Sequence, residues 1–155
     1  MTRSESITHL AAALAQAQAE MPVAVFDATN PFLKSKYASL GAVIQASRPI
    51  MAKHKLSLMQ FPISDASGIG VESVLTHESG EFVSERVMIP LTEEKGKTKV
   101  QCAGSTLTYL RRYSWAAILG MYSDEDSDGG SPVQAFAPKA APLLPPPPMK
   151  SFQNN

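Results

Sequence analysis

The chain has 155 residues, of which 44% are hydrophobic and 18% charged, so it can form one domain with a real core but hardly a second. Fourteen Lys and Arg residues balance 14 Asp and Glu residues, which excludes a generally basic coat for nucleic acid. The single cysteine, Cys102, excludes an internal disulfide. The sequence contains no run of about 18 apolar residues, so no membrane-spanning helix is predicted. We therefore expect a protein of a reducing cytoplasm.

The charges are unevenly distributed along the chain. Residues 1–122 hold 12 Lys and Arg against 10 Asp and Glu, a net charge of +2. Residues 123–155 hold two lysines against four carboxylates, a net charge of −2. A mildly basic folded part followed by an acidic segment is compatible with nucleic-acid binding but does not require it.

The first half of the chain predicts two helices. Apolar residues recur at helical spacing from about Glu5 to Ala19. An irregular stretch follows, in which Asn30-Pro31 predicts a turn. Ser39 is the predicted N-cap of the second helix. Pro49 falls inside this helical pattern and should kink the helix or start a fresh turn.

Alternating patterns then predict three β-strands. The first begins at Leu56 and ends at Pro62, and the second spans Ile69–Leu75. A turn at residues 77–81 leads into the third strand, Phe82–Ile89. Residues 92–99 are polar and charged, which is typical of a mobile loop.

A long helix is predicted from about Val100 to Leu119, with Gly120 as its C-terminal stop. The residues expected on its core side are Val100, Ala103, Leu107, Leu110, Ser114 and Ile118. Those expected on the opposite side are Ser105, Thr108, Tyr109, Arg112 and Ala116. Arg111 is expected beside the core face.

Residues 129–155 carry seven of the 12 prolines and have no hydrophobic periodicity. This composition predicts a disordered tail with a short polyproline II stretch. Residues 1–128 form the predicted domain. The expected fold is α+β, with two N-terminal helices, a three-stranded antiparallel β-meander packed on a long helix, and a disordered Pro-rich C-terminal tail.

Two segments, residues 30–40 and 101–114, interleave Lys or Arg with aromatic and hydroxyl side chains. Such mixtures suit single-stranded nucleic acid, because cations neutralise phosphates while rings stack on unpaired bases. The alternative is a solvated basic face combined with aromatic core residues, and composition alone favours that alternative.

Five short motifs occur in an order that resembles one known family. They are Asn30-Pro31-Phe32, Lys34-Ser35-Lys36-Tyr37-Ala38, Arg48-Pro49, Thr76-His77-x-Ser79-Gly80-Glu81 and Gly104-Ser105-x-x-Thr108-Tyr109-x-Arg111-Arg112-Tyr113. The last motif is followed by a leucine and a glycine and then by acidic residues. This succession covers roughly residues 5–128 and closely resembles the ERF (essential recombination function) family of phage and prophage annealing proteins.

The resemblance implies a non-enzymatic protein that assembles into rings, acts without ATP and has a core of a β-meander packed on a long helix. The chain departs from the expected family pattern at Lys55, where we expect a small residue or glycine to close the second helix. This departure concerns only the local turn.

The resemblance also implies a DNA-handling surface. Its residues are Lys34, Lys36, Tyr37, Arg111 and Arg112. The cations are assigned phosphate contact, and Tyr37 or Tyr109 is assigned base stacking. Arg111 has a competing role as a structural salt-bridge partner. Lys97 and Lys99, on the loop, are candidates for transient phosphate contact, and the alternative is a merely solvated loop.

The acidic run Asp124-x-Asp126-x-Asp128-Gly129 matches the first half of an EF-hand loop. Pro132 and Ala135 occupy its ninth and twelfth positions, which excludes a calcium site of that kind. The carboxylates could instead bind Mg²⁺ in a nuclease, but no His or Lys lies nearby in sequence. A solubilising linker, or an acidic cluster that repels DNA from that surface, is therefore favoured. The sequence has no phosphate-binding loop, and Gly68-Ile69-Gly70 lacks the third glycine of a dinucleotide loop. We expect no cofactor and no metal.

Residues and resemblance together predict ATP-independent binding of single-stranded DNA and annealing of complementary strands in phage or prophage homologous recombination. The protein would act as a homo-oligomeric ring or helical filament in the cytoplasm of the bacterial host. The alternatives are a single-strand-protecting protein without annealing activity, a metal-dependent nuclease, and an adaptor working through Pro145 to Pro148. The tail is a candidate site for a host or phage DNA-replication or single-strand-binding protein.

Overall fold

A computed structural model of the chain describes residues 1–30, 35–92 and 95–122. Within these residues the fold is α+β, with three helices and antiparallel sheets. The elements are β1 (Thr2–Arg3), α1 (Thr8–Glu20), β2 (Ala28–Thr29), β3 (Lys36–Tyr37), α2 (Leu40–Lys53), β4 (Leu56–Asp65), β5 (Gly68–His77), β6 (Phe82–Ile89) and α3 (Lys99–Leu119). None of the helices in this part of the chain is long and apolar enough to span a bilayer. The acidic run and the Pro-rich tail lie outside the described residues.

The main sheet has four strands in the order β1-β6-β5-β4, where the sequence pattern predicts three. Strands β4, β5 and β6 are consecutive antiparallel neighbours. The additional strand β1 pairs with β6 and places Thr2 opposite Ser84. Strands β2 and β3 form a separate two-stranded sheet. A strand of two residues is too short to show an alternating pattern, which is why β1, β2 and β3 escape sequence prediction.

Strand β4 is longer than predicted, because it runs through Pro62 to Asp65. Proline has no N–H to donate but is tolerated in an edge strand, and β4 is the edge of its sheet. On the neighbouring strand, a Cβ atom added to Gly70 would come within 2.2 Å of the carbonyl oxygen of Val87. The two strands approach each other so closely at Gly70 that a side chain would not fit. Strand packing therefore explains this glycine, and the segment Gly68-Ile69-Gly70 need not be a nucleotide-binding loop.

Helix α1 is capped by a side chain from outside the helix. It begins at Thr8, later than the predicted start near Glu5. Its N-cap residue, Ile7, has an apolar side chain that makes no capping hydrogen bond. The Glu81 carboxylate instead accepts a 2.8 Å hydrogen bond from the backbone N–H of Leu10. It thereby satisfies one N–H of the first turn and lies where the helix dipole favours negative charge.

Helix α2 begins at the predicted N-cap, where the Ser39 hydroxyl accepts a 3.2 Å hydrogen bond from the N–H of Ala42. The helix continues through Pro49 to Lys53 as a single element and does not restart. Beyond it, Lys55 has a φ of 60°, in the left-handed region that glycine adopts more readily. This is the position where the resemblance leads us to expect a small residue or glycine.

Helix α3 begins with a capping box. The Thr98 hydroxyl accepts a hydrogen bond from the N–H of Gln101, whose side-chain oxygen accepts one from the N–H of Thr98. Lys99, predicted on a loop, is therefore the first helical residue. The helix ends at the predicted stop, Gly120, which has a φ of 68°.

The buried part of α3 is wider than the single face predicted from the sequence. The helical pattern places Val100 in the core, but Val100 is 81% exposed. The same pattern places Arg112 and Ala116 on the opposite side, but they are only 6% and 4% exposed. The reason is that α3 packs against both the main sheet and α2. The contact with α2 includes a buried 2.9 Å hydrogen bond from the indole N–H of Trp115 to the hydroxyl of Ser47.

The core lies between the helices and one face of the main sheet. On β4, the buried Leu56 and Leu58 alternate with Met59 and Phe61, which are 41% and 50% exposed. The two leucines belong to the same apolar cluster as Leu119 of α3. The covered face of the sheet therefore holds α3 in a fixed position relative to the strands.

Candidate nucleic-acid interface

The hairpin formed by β2 and β3 brings Tyr37 to α3. Tyr37 pairs with Ala28 across the hairpin. Its ring lies 4.6 Å from the guanidinium carbon of Arg112, measured to the ring centroid. The sequence places these residues in two separate segments, and the fold joins the two segments at this contact.

The base of the hairpin is anchored to the start of α2. The Asp27 carboxylate accepts hydrogen bonds from the backbone N–H and the hydroxyl of Ser39, at 2.7 and 2.8 Å. These two bonds also lower the pKa of Asp27, the backbone bond having the larger effect. At the other end of the hairpin, the N–H of Asn30 donates a 2.8 Å hydrogen bond to the carbonyl of Ser35. The first contact attaches the hairpin that carries Tyr37 to α2, and the second holds its two strands together.

Two more tyrosines complete the group, which we call the tyrosine–arginine cluster (Tyr37, Tyr109, Arg112 and Tyr113). Tyr109 and Tyr113 are one turn apart on α3, and their ring centroids are 4.4 Å apart at an interplanar angle of 45°. The guanidinium carbon of Arg112 lies 5.6 Å from the Tyr109 centroid and 4.4 Å from the Tyr113 centroid. All three arginine–ring distances are within the range of cation–π attraction.

Exposure differs sharply within the cluster. Tyr109 is 54% exposed and Tyr113 is 37% exposed, whereas Arg112 is 6% exposed. Tyr37 is half-buried. The cluster therefore presents aromatic rings at the surface above a buried cation. Exposed rings of this kind can stack on any unpaired base, since every base has a π-face.

The lysines that are expected to contact phosphate lie at different places in the fold. Lys36 is exposed beside Tyr37 on β3. Lys97 is exposed in the segment before α3, and Lys99 is exposed in the first turn of that helix. The helical rise separates Lys99 from Tyr109 by about 15 Å along the axis. Lys34 lies outside the described residues.

Arg111 points to the sheet. Its Nε–H donates a long 3.4 Å hydrogen bond to the side-chain oxygen of Gln60 on β4. The side-chain amide of Gln60 in turn donates a 3.0 Å bond to the backbone carbonyl of Arg111. The sequence suggested a structural salt bridge as an alternative role for Arg111. Within the described residues, Arg111 makes these contacts with a neutral amide.

One motif of the resemblance has a structural role. Gly80 has a φ of 88°, which allows the tight turn between β5 and β6. Glu81 caps α1, as described above, and also accepts a 2.9 Å hydrogen bond from the Ser6 hydroxyl. These residues stabilise the domain at a place distinct from the tyrosine–arginine cluster.

Tyr113 is the one member of the cluster to which neither the sequence pattern nor the family resemblance assigns a role in DNA binding. It appears in the last motif, and its position four residues after Tyr109 is the signal that would place both rings on one helix face. The described residues contain no group of three or more His, Cys, Asp or Glu side chains that could hold a metal ion. Asp124, Asp126 and Asp128 lie outside them.

A family model described as ERF superfamily matches residues 10–141 of the chain. Comparisons with curated proteins and with solved structures gave no significant match. The matched range includes all but the first two residues of α1, together with α2, the strands β2 to β6 and α3, and hence every residue of the tyrosine–arginine cluster. The match confirms the family that the order of short motifs indicates. The chain belongs to the ERF superfamily, whose proteins take part in phage recombination and single-strand annealing.

Proposed function

We propose that this protein binds single-stranded DNA without ATP and anneals complementary strands in phage or prophage homologous recombination. Family membership supports recombination and annealing in general. The tyrosine–arginine cluster is the proposed binding site for the DNA. The observation that supports it is that two exposed rings adjoin a buried cation.

The exposed rings suit single strands better than duplexes. The bases of a duplex are stacked on each other, so their faces are hidden from Tyr109 and Tyr113, whereas an unpaired base can stack on either ring. A base held by its face keeps its Watson–Crick edge open for a second strand. Stacking therefore supports annealing as well as binding, and it requires no particular base sequence.

Exposed lysines beside the cluster and at the start of α3 neutralise the phosphates of the bound strand. Lys36 is next to Tyr37, and Lys97 and Lys99 lie toward the other end of α3. Each phosphate neutralised by the protein releases counterions, so the affinity falls as the salt concentration rises. Affinity that does not depend on salt would contradict this mechanism.

Assembly into rings or helical arcs is part of the proposal. A domain of this size offers few phosphate contacts, and annealing requires a long strand to be held in one arrangement. Repeating the same binding surface in successive protomers would supply that length. Light scattering coupled to gel filtration, with and without DNA, measures the oligomer directly, and a monomer under both conditions would contradict this part of the proposal.

Three alternatives are separated by simple assays. A protein that only protects single strands would bind them without accelerating pairing. A nuclease would cleave DNA with Mg²⁺ and lose that activity in an Asp126→Ala variant. An adaptor that works through the tail would lose its function when residues 130–155 are deleted, whereas our proposal expects annealing to survive the deletion.

The binding site is tested by fluorescence anisotropy with single-stranded and duplex oligonucleotides. We expect the Tyr109→Ala/Tyr113→Ala variant to bind single strands at least about tenfold more weakly, since stacking contributes about 1–3 kcal/mol per base. Tyr122→Ala is the matched control, because Tyr122 is 62% exposed and its ring contacts Phe26, outside the cluster. Equal affinities for the cluster variant and the wild-type protein would contradict the proposed site.

A further inference from the structure

Arg112 is the most deeply buried member of the tyrosine–arginine cluster. It is 6% exposed although it carries a full positive charge, and three rings lie within 5.6 Å of its guanidinium carbon. A DNA phosphate approaching from solvent would meet Tyr109 or Tyr113 before it met the guanidinium. The phosphate contact that the family resemblance implies for Arg112 therefore conflicts with its position.

The position suits another role. Tyr37 is on the β2–β3 hairpin, while Tyr109 and Tyr113 are on α3. Arg112 contacts all three rings, so one side chain connects the hairpin to the helix surface. Its planar guanidinium can stack on aromatic faces, which the compact ammonium of lysine cannot do.

A free tyrosine side chain on a helix surface samples several rotamers. The contact of Arg112 with Tyr109 and Tyr113 restricts this freedom, and the two rings also contact each other at 4.4 Å. Rings that are already held in place lose less conformational entropy when a base binds, which increases the affinity.

We infer that Arg112 is a positioning residue, which holds Tyr109 and Tyr113 as a preformed platform for unpaired bases and leaves phosphate contact to exposed cations such as Lys36. This inference rests on the proposed function. It assigns to Arg112 an effect on base stacking that is separate from charge neutralisation.

The two roles are separated with two ligands of equal length: an oligothymidylate and an abasic strand that keeps the phosphates but has no bases. We expect Arg112→Met to bind oligothymidylate roughly tenfold more weakly and to bind the abasic strand within about twofold of the wild-type affinity. The slope of log affinity against log salt should not change. Lys36→Met should instead weaken both complexes and reduce that slope by about 0.7.

A double-mutant cycle tests whether Arg112 acts through the rings. In the Tyr109→Ala/Tyr113→Ala background, Arg112→Met should cause no additional loss of affinity, because the platform is already absent. An additional loss equal to that in the wild-type background would overturn the inference. An equal loss on both ligands, with a slope reduced by about 0.7, would assign Arg112 to phosphate contact.

Arg112→Lys covers the case in which the buried methionine prevents folding. Lysine keeps the charge, so wild-type affinity in this variant would support phosphate contact and overturn the inference. A loss confined to oligothymidylate would support positioning.

The wild-type protein separates this inference from the proposed function. If it binds neither ligand, the proposed function fails, and the inference fails with it. If it binds both ligands equally, binding by phosphate contact stands, but base stacking and the positioning role of Arg112 are rejected.

Discussion

The carboxylate of Glu81 caps helix α1 by accepting a 2.8 Å hydrogen bond from the backbone N–H of Leu10. The two residues are far apart in sequence, and Ile7 at the N-cap provides no side-chain hydrogen bond. The Ser6 hydroxyl and the His9 ring also contact the carboxylate, at 2.9 and 3.3 Å. The turn between β5 and β6 and the start of α1 are therefore held together by one anionic side chain.

This cap predicts acid-sensitive stability. The hydrogen bond from Leu10, assisted by Ser6 and His9, lowers the pKa of Glu81 from 4.5 to about 2, although burial opposes the change. Because the folded-state pKa is below the unfolded value, the stabilisation is complete above about pH 4.5 and is lost as the pH falls toward 2. Thermal unfolding followed by circular dichroism across this range should show a falling melting temperature.

The Glu81→Gln variant isolates this contribution from that of other carboxylates. It should melt several degrees below the wild-type protein at pH 7, and the difference should shrink at low pH, where the wild-type carboxylate becomes protonated. A difference that is the same at pH 7 and at pH 2.5 would contradict the assigned role of the charge.

Lys55 predicts a substitution that stabilises the domain. Its φ of 60° is unfavourable for a residue with a Cβ atom, so Lys55→Gly should raise the free energy of unfolding by about 1 kcal/mol. The exposed ion pair between Lys55 and Glu78 is lost in this variant, but exposed pairs contribute little. Lys55→Ala is the control, because it removes the same pair and keeps the strain. Urea unfolding should therefore rank glycine above alanine, and the reverse order would contradict the argument.

Gly70 predicts a substitution that destabilises the main sheet. An alanine Cβ would lie 2.2 Å from the carbonyl oxygen of Val87, so the two strands would have to move apart. We expect Gly70→Ala to lower the free energy of unfolding by about 1–3 kcal/mol. Gly104→Ala is the matched control, since a Cβ there meets no atom within 4 Å and alanine favours a helix. Equal stability of the two variants in urea would show that the sheet tolerates the added methyl group.

The sequence predicts the long elements well because each has a pattern of many residues. Strand β6 has the predicted bounds, Phe82–Ile89, and the Ser39 cap and the Gly120 stop lie at the predicted positions. The two-residue strands β1, β2 and β3 lack such a pattern and depend on pairing with distant residues.

Side-chain orientation on α3 is harder to predict for a physical reason. A helical pattern identifies one apolar face, but α3 is buried on two sides, by the main sheet and by α2. Ala116 is small and carries no strong signal, so its burial depends on the neighbouring helix. Arg112 would be placed in solvent by any hydropathy argument, but it is 6% exposed and contacts Tyr37 of the hairpin.

The candidate interface was therefore predictable in part. The segments that contain Tyr37, Tyr109 and Arg112 are recognisable from their mixture of aromatic and basic residues. The depth of Arg112, the contact of Arg111 with Gln60 and the helical position of Lys99 depend on the tertiary structure. Chain composition identifies the residue types, and the fold determines which of them reach the surface.

The most direct test of the account is the rate at which two complementary fluorescently labelled single strands pair in the absence of ATP. The wild-type protein and the Tyr122→Ala control should accelerate pairing above the spontaneous rate, and the folded Tyr109→Ala/Tyr113→Ala variant should lose most of that acceleration. If the wild-type protein does not accelerate pairing, or if the cluster variant anneals as fast as the control, the central claim is contradicted.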